Sequence, residues 1–322
     1  MAFAFIFPGQ GSQFVGMGQD LAASFPASKA VFEEVDDVLS QNLSRLMWDG
    51  PEDELTLTSN TQPALMATSV AAMAALKSEF DVNVTDAAFV AGHSLGEYSA
   101  LCAVGAISLA DTARLLRLRG DAMQKAVPVG AGAMAALLGA SVSDAEAAAA
   151  AGAKHGICQI ANDNATGQIV LSGEVAAVEA ACVFAREAGV KKAVILPVSA
   201  PFHCDMMAPA AAAMADALAD AIINCPSVPV VNNVTARPVT DADQIRGDLV
   251  TQVTGRVRWR ESIEWMAGKN DGEGGIETFA EPGCGKVLTQ MLKRIVKGVS
   301  GSALSTPEAL ETFAETLRTK NT

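Results

Sequence analysis

The sequence predicts an α/β fold, in which helices pack on a mostly parallel sheet. Half of the 322 residues are apolar and only 5% are aromatic, which favours closely packed helices on a sheet over an all-β sandwich. The apolar segments 2–7 and 87–91 each run into a glycine-containing turn and then a helical pattern. A chain of this length suits one large domain, or a large and a small one.

The large domain is expected to alternate short buried strands with longer helices. Asn60 and Pro63 signal the start of a long helix, and residues 111–127 have the apolar spacing of another. A polar, glycine-rich turn at 268–275 is typical of a surface loop. Strand patterns lie at 2–7, 87–91, 229–232 and 276–280, and helical patterns at 21–38, 63–80, 111–127, 209–223, 245–253, 262–267 and 287–296.

A second, smaller unit is expected within the first. We expect Ser143 and Glu146 to form a capping box at its first helix. The order β-α-β-β-α-β is that of a ferredoxin-like unit. Its segments are the strands 134–138, 157–161, 168–172 and 193–198 and the helices 143–152 and 175–188. We therefore predict an α/β-hydrolase-like large domain with a short parallel sheet, formed by 1–126 and 199–322, and an inserted ferredoxin-like α+β domain at 127–198.

Composition excludes several classes of function. A net charge of −13 argues against binding to nucleic acid or to an anionic membrane. The six cysteines lack the spacing of a metal site or a disulfide framework, so we expect reduced thiols, no metal and a cytoplasmic protein. The apolar run 2–7 lacks a basic flank and is far too short for a signal peptide or a membrane span. We expect a monomer.

The strongest chemical signal is Gly92-His93-Ser94-Leu95-Gly96. A serine on a tight turn between a strand and a helix projects its hydroxyl outward, and the flanking glycines permit the crowded backbone. The helix N-terminus behind it favours developing negative charge. Ser94 is therefore the candidate nucleophile; the alternative is a Gly-Ser turn that only starts a helix.

A serine nucleophile needs a base, and the chain has three histidines. His93 adjoins the serine, where neighbouring side chains diverge, and His155 follows a helix of the small domain and is expected to be solvated. His203 lies where the chain re-enters the large domain, so it is the candidate base by elimination. Asp205 is too close in sequence to fold back onto that ring, and a backbone carbonyl could hold the imidazole tautomer instead.

Arg119 is the candidate for substrate recognition. On the predicted helix 111–127 its neighbours three and four residues away are Leu115, Leu116, Ala122 and Met123, so its side chain leaves from an apolar face. Arg114 and Arg117, by contrast, are expected to pair with Asp111 and Asp121. A buried guanidinium is costly unless an anion meets it, and a planar carboxylate suits it bidentately. The alternative is an ion pair within the protein.

The loop Phe7-Pro8-Gly9-Gln10-Gly11-Ser12-Gln13 offers backbone N–H groups beside the end of a strand. It does not have the spacing of a dinucleotide-binding loop, since Phe14 stands where a third glycine is required, and no phosphate-loop lysine is present. A contribution to an oxyanion hole is the better interpretation.

In order along nearly the whole chain, separate segments resemble the malonyl-CoA:acyl carrier protein transacylases and the related acyltransferase domains of polyketide synthases. The segments are FPGQGSQ at 7–13, TQPAL at 61–65, GHSLGEY at 92–98, LRG followed by MQ at 118–124, SAPFH at 199–203 and QVTGRVRW at 252–259. Agreement at this many places is highly specific.

The resemblance implies a role for each matching residue. Ser94 would be the nucleophile, His203 its base, and Arg119 the group that binds the malonyl carboxylate. The backbone N–H groups of Gln10 and Leu95 would form the oxyanion hole. The main chain of Gln252 would orient His203, and Gln62 would line the pocket.

The resemblance also implies the reaction: malonyl-CoA would donate its acyl group through a serine ester to the phosphopantetheine thiol of holo acyl carrier protein, supplying fatty-acid biosynthesis, with no cofactor. Phe202 would crowd an α-methyl substituent. Candidate contacts to the acidic carrier are Lys191 and Lys192, or Lys286, Lys293 and Arg294. The alternatives are a serine esterase or thioesterase, a polyketide-associated acyltransferase, and a noncatalytic binding module.

Overall fold

A computed structural model describes residues 2–198, 200–269 and 274–320 of the chain. Ser199, the predicted start of the second large-domain segment and of the SAPFH motif, and residues 270–273 of the predicted loop lie outside the described residues. None of the helices in the described ranges is long and apolar enough to cross a membrane.

The described residues contain ten strands and fourteen α-helices, apart from short 3₁₀ turns. The strands are β1 (Phe3–Phe7), β2 (Phe89–Gly92), β3 (Gly132–Leu138), β4 (Cys158–Ala165), β5 (Gln168–Glu174), β6 (Lys192–Ile195), β7 (Val230–Val231), β8 (Pro238–Val239), β9 (Thr278–Pro282) and β10 (Ser300–Leu304). The helices are α1 (Gln19–Ser24), α2 (Pro26–Leu39), α3 (Leu43–Asp49), α4 (Glu52–Thr56), α5 (Thr58–Phe80), α6 (Gly96–Ala103), α7 (Leu109–Lys125), α8 (Val142–Gly152), α9 (Val175–Glu187), α10 (Ala208–Asp220), α11 (Ala242–Thr254), α12 (Trp259–Met266), α13 (Val287–Ile295) and α14 (Pro307–Lys320).

The larger unit is built on a six-stranded sheet in the order β10-β9-β1-β2-β7-β8. All neighbouring strands in it are parallel except β7 and β8. Every residue of the central strand β1 is buried, because helices cover both faces of a parallel sheet. The carboxyl ends of β1, β2 and β7 therefore meet at one edge, the usual place for a site in such sheets.

The smaller unit is a four-stranded antiparallel sheet in the order β4-β5-β3-β6, carrying α8 and α9. Side chains alternate along its strands. Ala135 and Leu137 of β3 belong to the core shared with these helices, whereas Met134 packs with Val170 and Phe202 on the opposite side. That second face lies toward the larger unit.

The two units are joined by contacts along β4. Asn162 forms an isolated β-bridge with Val257, and the N–H of Asp163 donates to the Val257 carbonyl at 2.9 Å. The buried Asp163 carboxylate accepts from Arg260 of α12 at 2.8 Å, and this pairing raises the pKa of the guanidinium against the effect of burial. A paired, hydrogen-bonded charge at a junction fixes its geometry.

The α/β class predicted from the sequence is confirmed, with a mostly parallel sheet and a second, antiparallel one. Several boundaries were wrong. The helix predicted at 21–38 is two helices, α1 and α2, separated at Phe25 because Pro26 restricts the residue before it. The helix predicted from residue 63 begins at Thr58, since α5 is buried on nearly all sides and packing offsets the bond that Pro63 lacks.

Two local pairings also differ from the prediction. The capping box of α8 joins Ser141 and Asp144, two residues before the expected Ser143 and Glu146, because the helix starts earlier. Arg114 pairs with Asp111 at 3.1 Å as expected. Arg117, expected to pair with Asp121, donates instead to Asn60, at 2.9 Å, and to Gln41. These acceptors come from α5 and the loop after α2.

Candidate active site

Ser94 occupies the turn between β2 and α6, with a left-handed φ of 53°. The flanking glycines have no space for a side chain: a Cβ on Gly92 would lie 1.9 Å from the Gly96 carbonyl oxygen, and one on Gly96 would lie 2.3 Å from the Phe7 oxygen. A non-glycine residue with positive φ is strained and persists only where its surroundings fix it. The turn thus presents the serine hydroxyl at the carboxyl edge of the sheet.

Two amide side chains hold the peptide groups of Ser94. Its N–H donates to Asn233 Oδ1 at 2.7 Å, and its carbonyl accepts from Gln252 Nε2 at 3.1 Å. Sequence reasoning missed Asn233. A signal was available, because Asn233 follows the β7 segment and so belongs at the same sheet edge as the end of β2.

His203 meets the serine across 109 positions of sequence, with Nε2 2.8 Å from Ser94 Oγ. Its Nδ1 lies 2.8 Å from the Gln252 carbonyl oxygen, which can only accept, so Nδ1 carries the proton and Nε2 presents its lone pair to the hydroxyl. His203 also has a left-handed φ, of 59°. Burial lowers the pKa of His203 to about 3, assisted by the positive charge of Arg119, so the ring is neutral and ready to accept a proton.

The other candidates for the base do not bind the Ser94 hydroxyl. His155 is exposed at the end of a 3₁₀ turn, as expected. His93 also lines the cavity, but its Nε2 lies 2.8 Å from Asn164 Oδ1 of β4, and burial lowers its pKa. Asp205 bonds to Gln159 rather than to His203. The carbonyl of Gln252 therefore occupies the place of a third, acidic residue.

Arg119 is only 1% exposed. It donates to Gln62 Oε1 at 2.9 Å, to Gln252 Oε1 at 3.0 Å and to Ser94 Oγ at 3.1 Å, and its guanidinium lies 5.7 Å from the Tyr98 ring centre. No carboxylate of the described residues lies within ion-pairing distance of it, and its Nε has no hydrogen-bond partner there. The guanidinium is thus held by neutral groups, with no ion pair of its own.

The residues assigned to the oxyanion hole lie at the same place. Gln10 and Leu95 both line the cavity, and neither backbone N–H donates to another described residue. The adjacent loops touch, since a Cβ on Gly9 would lie 2.7 Å from the His93 carbonyl oxygen. Two free N–H groups beside a nucleophile can stabilise an oxyanion. The assignment of Gln10 and Leu95 stays a prediction.

A cavity of about 650 Å³ opens between the two units and contains Ser94, His203 and Arg119 in its lining. One wall is apolar and comes from the smaller unit and the segment after it. It includes Phe202, which the sequence analysis placed beside the acyl group. Gln62 lies on the opposite side, buried on α5. The apolar wall consists of Met134, Val170, Leu196, Val198 and Phe202. Within the described residues no cluster of acidic, histidine or cysteine side chains has the arrangement of a metal site.

A serine on a strained strand-to-helix turn, with a neutral imidazole against its hydroxyl, is the arrangement of a serine acyl-transfer site. The chain belongs to the acyl transferase family: residues 4–301 match the family model described as "Acyl transferase domain". The resemblance found in the sequence is thereby confirmed.

Individual relatives agree over the full length. The malonyl CoA-acyl carrier protein transacylase of Bacillus subtilis (strain 168) is 44% identical over 99% of this chain and 98% of its own. An acyl-carrier-protein S-malonyltransferase from Bartonella henselae is 52% identical with a TM-score of 0.95, covering 99% of this chain and all of that one. A malonyl-transacylase solved in complex with its type II polyketide synthase acyl carrier protein is 42% identical, with a TM-score of 0.93 and coverage of 98% and 100%.

We predict that His203 stays neutral well below the ordinary histidine range, because its folded-state pKa is lowered to about 3. In protein labelled with ¹⁵N-histidine, the His203 ring resonances should keep the Nδ1–H pattern from pH 8 to about pH 5. A His203→Gln variant assigns the signals. A titration of His203 centred near pH 6.5 would contradict the buried, neutral base.

Proposed function

We propose that this enzyme transfers a malonyl group from malonyl-CoA to the phosphopantetheine thiol of acyl carrier protein through an ester on Ser94, supplying fatty-acid biosynthesis. Membership of the acyl transferase family and full-length similarity to malonyl transacylases support the proposal. The observation that carries it is Arg119, a buried guanidinium without a carboxylate partner in the described residues, 3.1 Å from Ser94 Oγ.

In the first half-reaction His203 Nε2 takes the proton of Ser94 as Oγ attacks the thioester carbonyl. The tetrahedral intermediate places its oxyanion toward the N–H groups of Gln10 and Leu95, each worth about 3 kcal/mol in such sites. When the carbon–sulfur bond breaks, the protonated His203 returns the proton to the sulfur of CoA. Malonyl-Ser94 and free CoA are the products.

The second half-reaction runs the same steps in reverse. The phosphopantetheine thiol of the carrier protein gives its proton to His203 Nε2 and attacks the ester carbonyl. Collapse of the intermediate returns the proton to Ser94 Oγ. One base thus serves both half-reactions, and release of CoA from the malonyl-enzyme before the carrier protein reacts gives ping-pong kinetics.

The malonyl carboxylate would bind Arg119. A planar guanidinium matches a carboxylate in bidentate fashion, and a buried charge without a counterion costs about 2–5 kcal/mol. With an acetyl group bound, the guanidinium still lacks a counterion and this free-energy cost remains. A malonyl carboxylate supplies the counterion and removes the cost. Phe202, which lines the cavity beside the base, would crowd an α-methyl substituent and disfavour methylmalonyl.

We expect malonyl-CoA to add one malonyl group to the wild-type protein at Ser94 and none to Ser94→Ala, as read by intact-protein mass spectrometry. Added holo acyl carrier protein should remove the group and become malonylated itself. Rapid release of free malonate without carrier protein would instead indicate the esterase or thioesterase alternative. No adduct on any serine would contradict the proposed function.

Replacing the guanidinium should reduce selectivity for the acid group. We expect Arg119→Met to slow malonylation of Ser94 about 30-fold or more while slowing acetylation from acetyl-CoA much less, because only malonyl loses its ion pair. Rapid-quench mass spectrometry measures both rates. Arg117→Met, two residues away on the same helix and outside the cavity lining, is the matched control and should keep the wild-type ratio. An unchanged ratio in Arg119→Met would exclude Arg119 as the carboxylate site.

The carrier protein is proposed to approach over Lys191 and Lys192. Both are exposed, and β6 is the edge strand of its sheet and leads directly into Leu196 and Val198 of the cavity wall. An acidic partner bound there would have its thiol near the opening. Lys293 and Arg294, on α13, form the alternative surface.

Reversing both charges in Lys191→Glu with Lys192→Glu should raise the KM for holo acyl carrier protein and spare malonylation of Ser94 by malonyl-CoA. The double variant Lys293→Glu with Arg294→Glu makes the same change in net charge and serves as the comparison. If only the second pair impairs transfer, the carrier binds over α13. If both pairs behave as wild type, neither surface docks the carrier.

We also infer that the larger unit is α/β-hydrolase-like and that the smaller one is a ferredoxin-like insertion spanning about 127–198. The element order β3-α8-β4-β5-α9-β6 and the strand order β4-β5-β3-β6 support the second assignment. The cytoplasmic location and the monomeric state expected from the sequence remain predictions.

A further inference from the structure

A buried carboxylate lies directly behind the nucleophile. Glu97, in the first turn of α6, is 2% exposed and forms no ion pair with a described residue. One of its oxygens, Oε2, accepts from the backbone N–H of Asn233 at 2.9 Å and from Gln252 Nε2 at 2.8 Å. It touches none of the reacting atoms, and the proposed reaction does not use it.

The two partners of Glu97 are the residues that hold Ser94. Asn233, whose N–H binds Glu97, accepts from the Ser94 N–H and donates to the Gly92 carbonyl, each at 2.7 Å. Gln252 binds the Ser94 carbonyl with its side chain and His203 with its own carbonyl. Both chain segments that position the nucleophile and the base are thus anchored on one oxygen atom.

That oxygen is also one of three partners that set which way the Gln252 amide points. Its NH₂ group faces Glu97 and the Ser94 carbonyl, and its Oε1 accepts from Arg119 at 3.0 Å. The reverse orientation would set NH₂ against the guanidinium and Oε1 against two acceptors. The guanidinium only donates and the Ser94 carbonyl only accepts, and ionised Glu97 adds a second acceptor, so the three partners together exclude that orientation.

We propose that Glu97 is a positioning residue, which acts through Asn233 and Gln252 to hold Ser94 in its left-handed conformation and to aim Arg119 at the acyl group. The proposal rests on Ser94 being the nucleophile of the proposed function. The left-handed backbone costs about 1–2 kcal/mol, so Ser94 needs contacts that fix it. Burial raises the pKa of Glu97 to about 7, and the hydrogen bonds from Gln252 and from the Asn233 N–H, together with the charge of Arg119, oppose that rise.

The test measures the reactivity of Ser94 itself. A neutral fluorophosphonate ester phosphonylates an activated serine with loss of fluoride, and it carries no carboxylate for Arg119 to bind. We expect Glu97→Met to slow labelling of Ser94 about tenfold or more, because the unpaired amides let the turn relax. Glu97→Gln keeps an oxygen in the place of Oε2, so its labelling rate should stay within about threefold of the wild-type rate.

A matched control separates positioning from general destabilisation. Glu281 is also fully buried and also accepts two N–H bonds, from Leu288 and Thr289 at the start of α13. Glu281→Met should lower the thermal unfolding midpoint as Glu97→Met does, yet the folded protein should label at the wild-type rate. Equal slowing in both Met variants would overturn the proposal.

Two further results would also overturn it: wild-type labelling in folded Glu97→Met, or slowing in Glu97→Gln as large as in Glu97→Met. If Glu97→Met is recovered unfolded, Glu97→Asp provides the reading, since its shorter side chain cannot reach both amides; a wild-type rate there would reject the role. Malonylation of wild-type Ser94 is measured in parallel. Its failure would contradict the proposed function, whereas normal malonylation with unaffected Glu97 variants would contradict only this inference.

Discussion

One residue, Gln252, binds Ser94, His203 and Arg119 through its backbone and side chain. Its carbonyl fixes the tautomer of His203, and its amide binds both the carbonyl of Ser94 and the guanidinium of Arg119. Because α11 carries it, the geometry of the site depends on how that helix packs against α10 and the core. A rigid helix holds such a geometry more tightly than a loop does.

Three residues of the site have conformations or environments that are unfavourable for folding. Ser94 and His203 both have left-handed backbones, and Arg119 is buried with no ion pair to a described residue. Each of these features is unfavourable alone, and neutral amides from separate elements offset them. Unfavourable local geometry is typical of sites that bind a ligand, and here the ligand would be the anionic end of the proposed acyl group.

The division into two units gives the cavity its chemical asymmetry. The parallel sheet supplies the polar groups at the carboxyl ends of its strands, and one face of the antiparallel sheet supplies an apolar wall. The contact between Asp163 and Arg260 keeps the two parts together. The apolar part of a thioester substrate can therefore lie on one side while the reacting carbonyl faces hydrogen-bond donors.

The sequence alone determined the strand-to-helix turn at Ser94 and the α/β class. Gly92, Ser94 and Gly96 specify a strand-to-helix turn through local backbone sterics, and helical spacing placed Arg119 on a buried face, so neither required knowledge of the distant chain. Elimination among the histidines gave His203, and the structure brings it to the serine.

Only the tertiary structure decided which distant groups meet. From residues alone the third partner of His203 was open, and packing of α11 made it a backbone carbonyl that no side-chain pattern identifies. The only signal for Asn233 was its place after β7, and Glu97 gave no local signal of its contacts. The partners of Arg117 come from another helix and a loop. The physical reason is the distance along the chain over which each effect acts. Sterics and periodicity act within a few residues, whereas the partners of a buried hydrogen bond depend on which segments the core brings together.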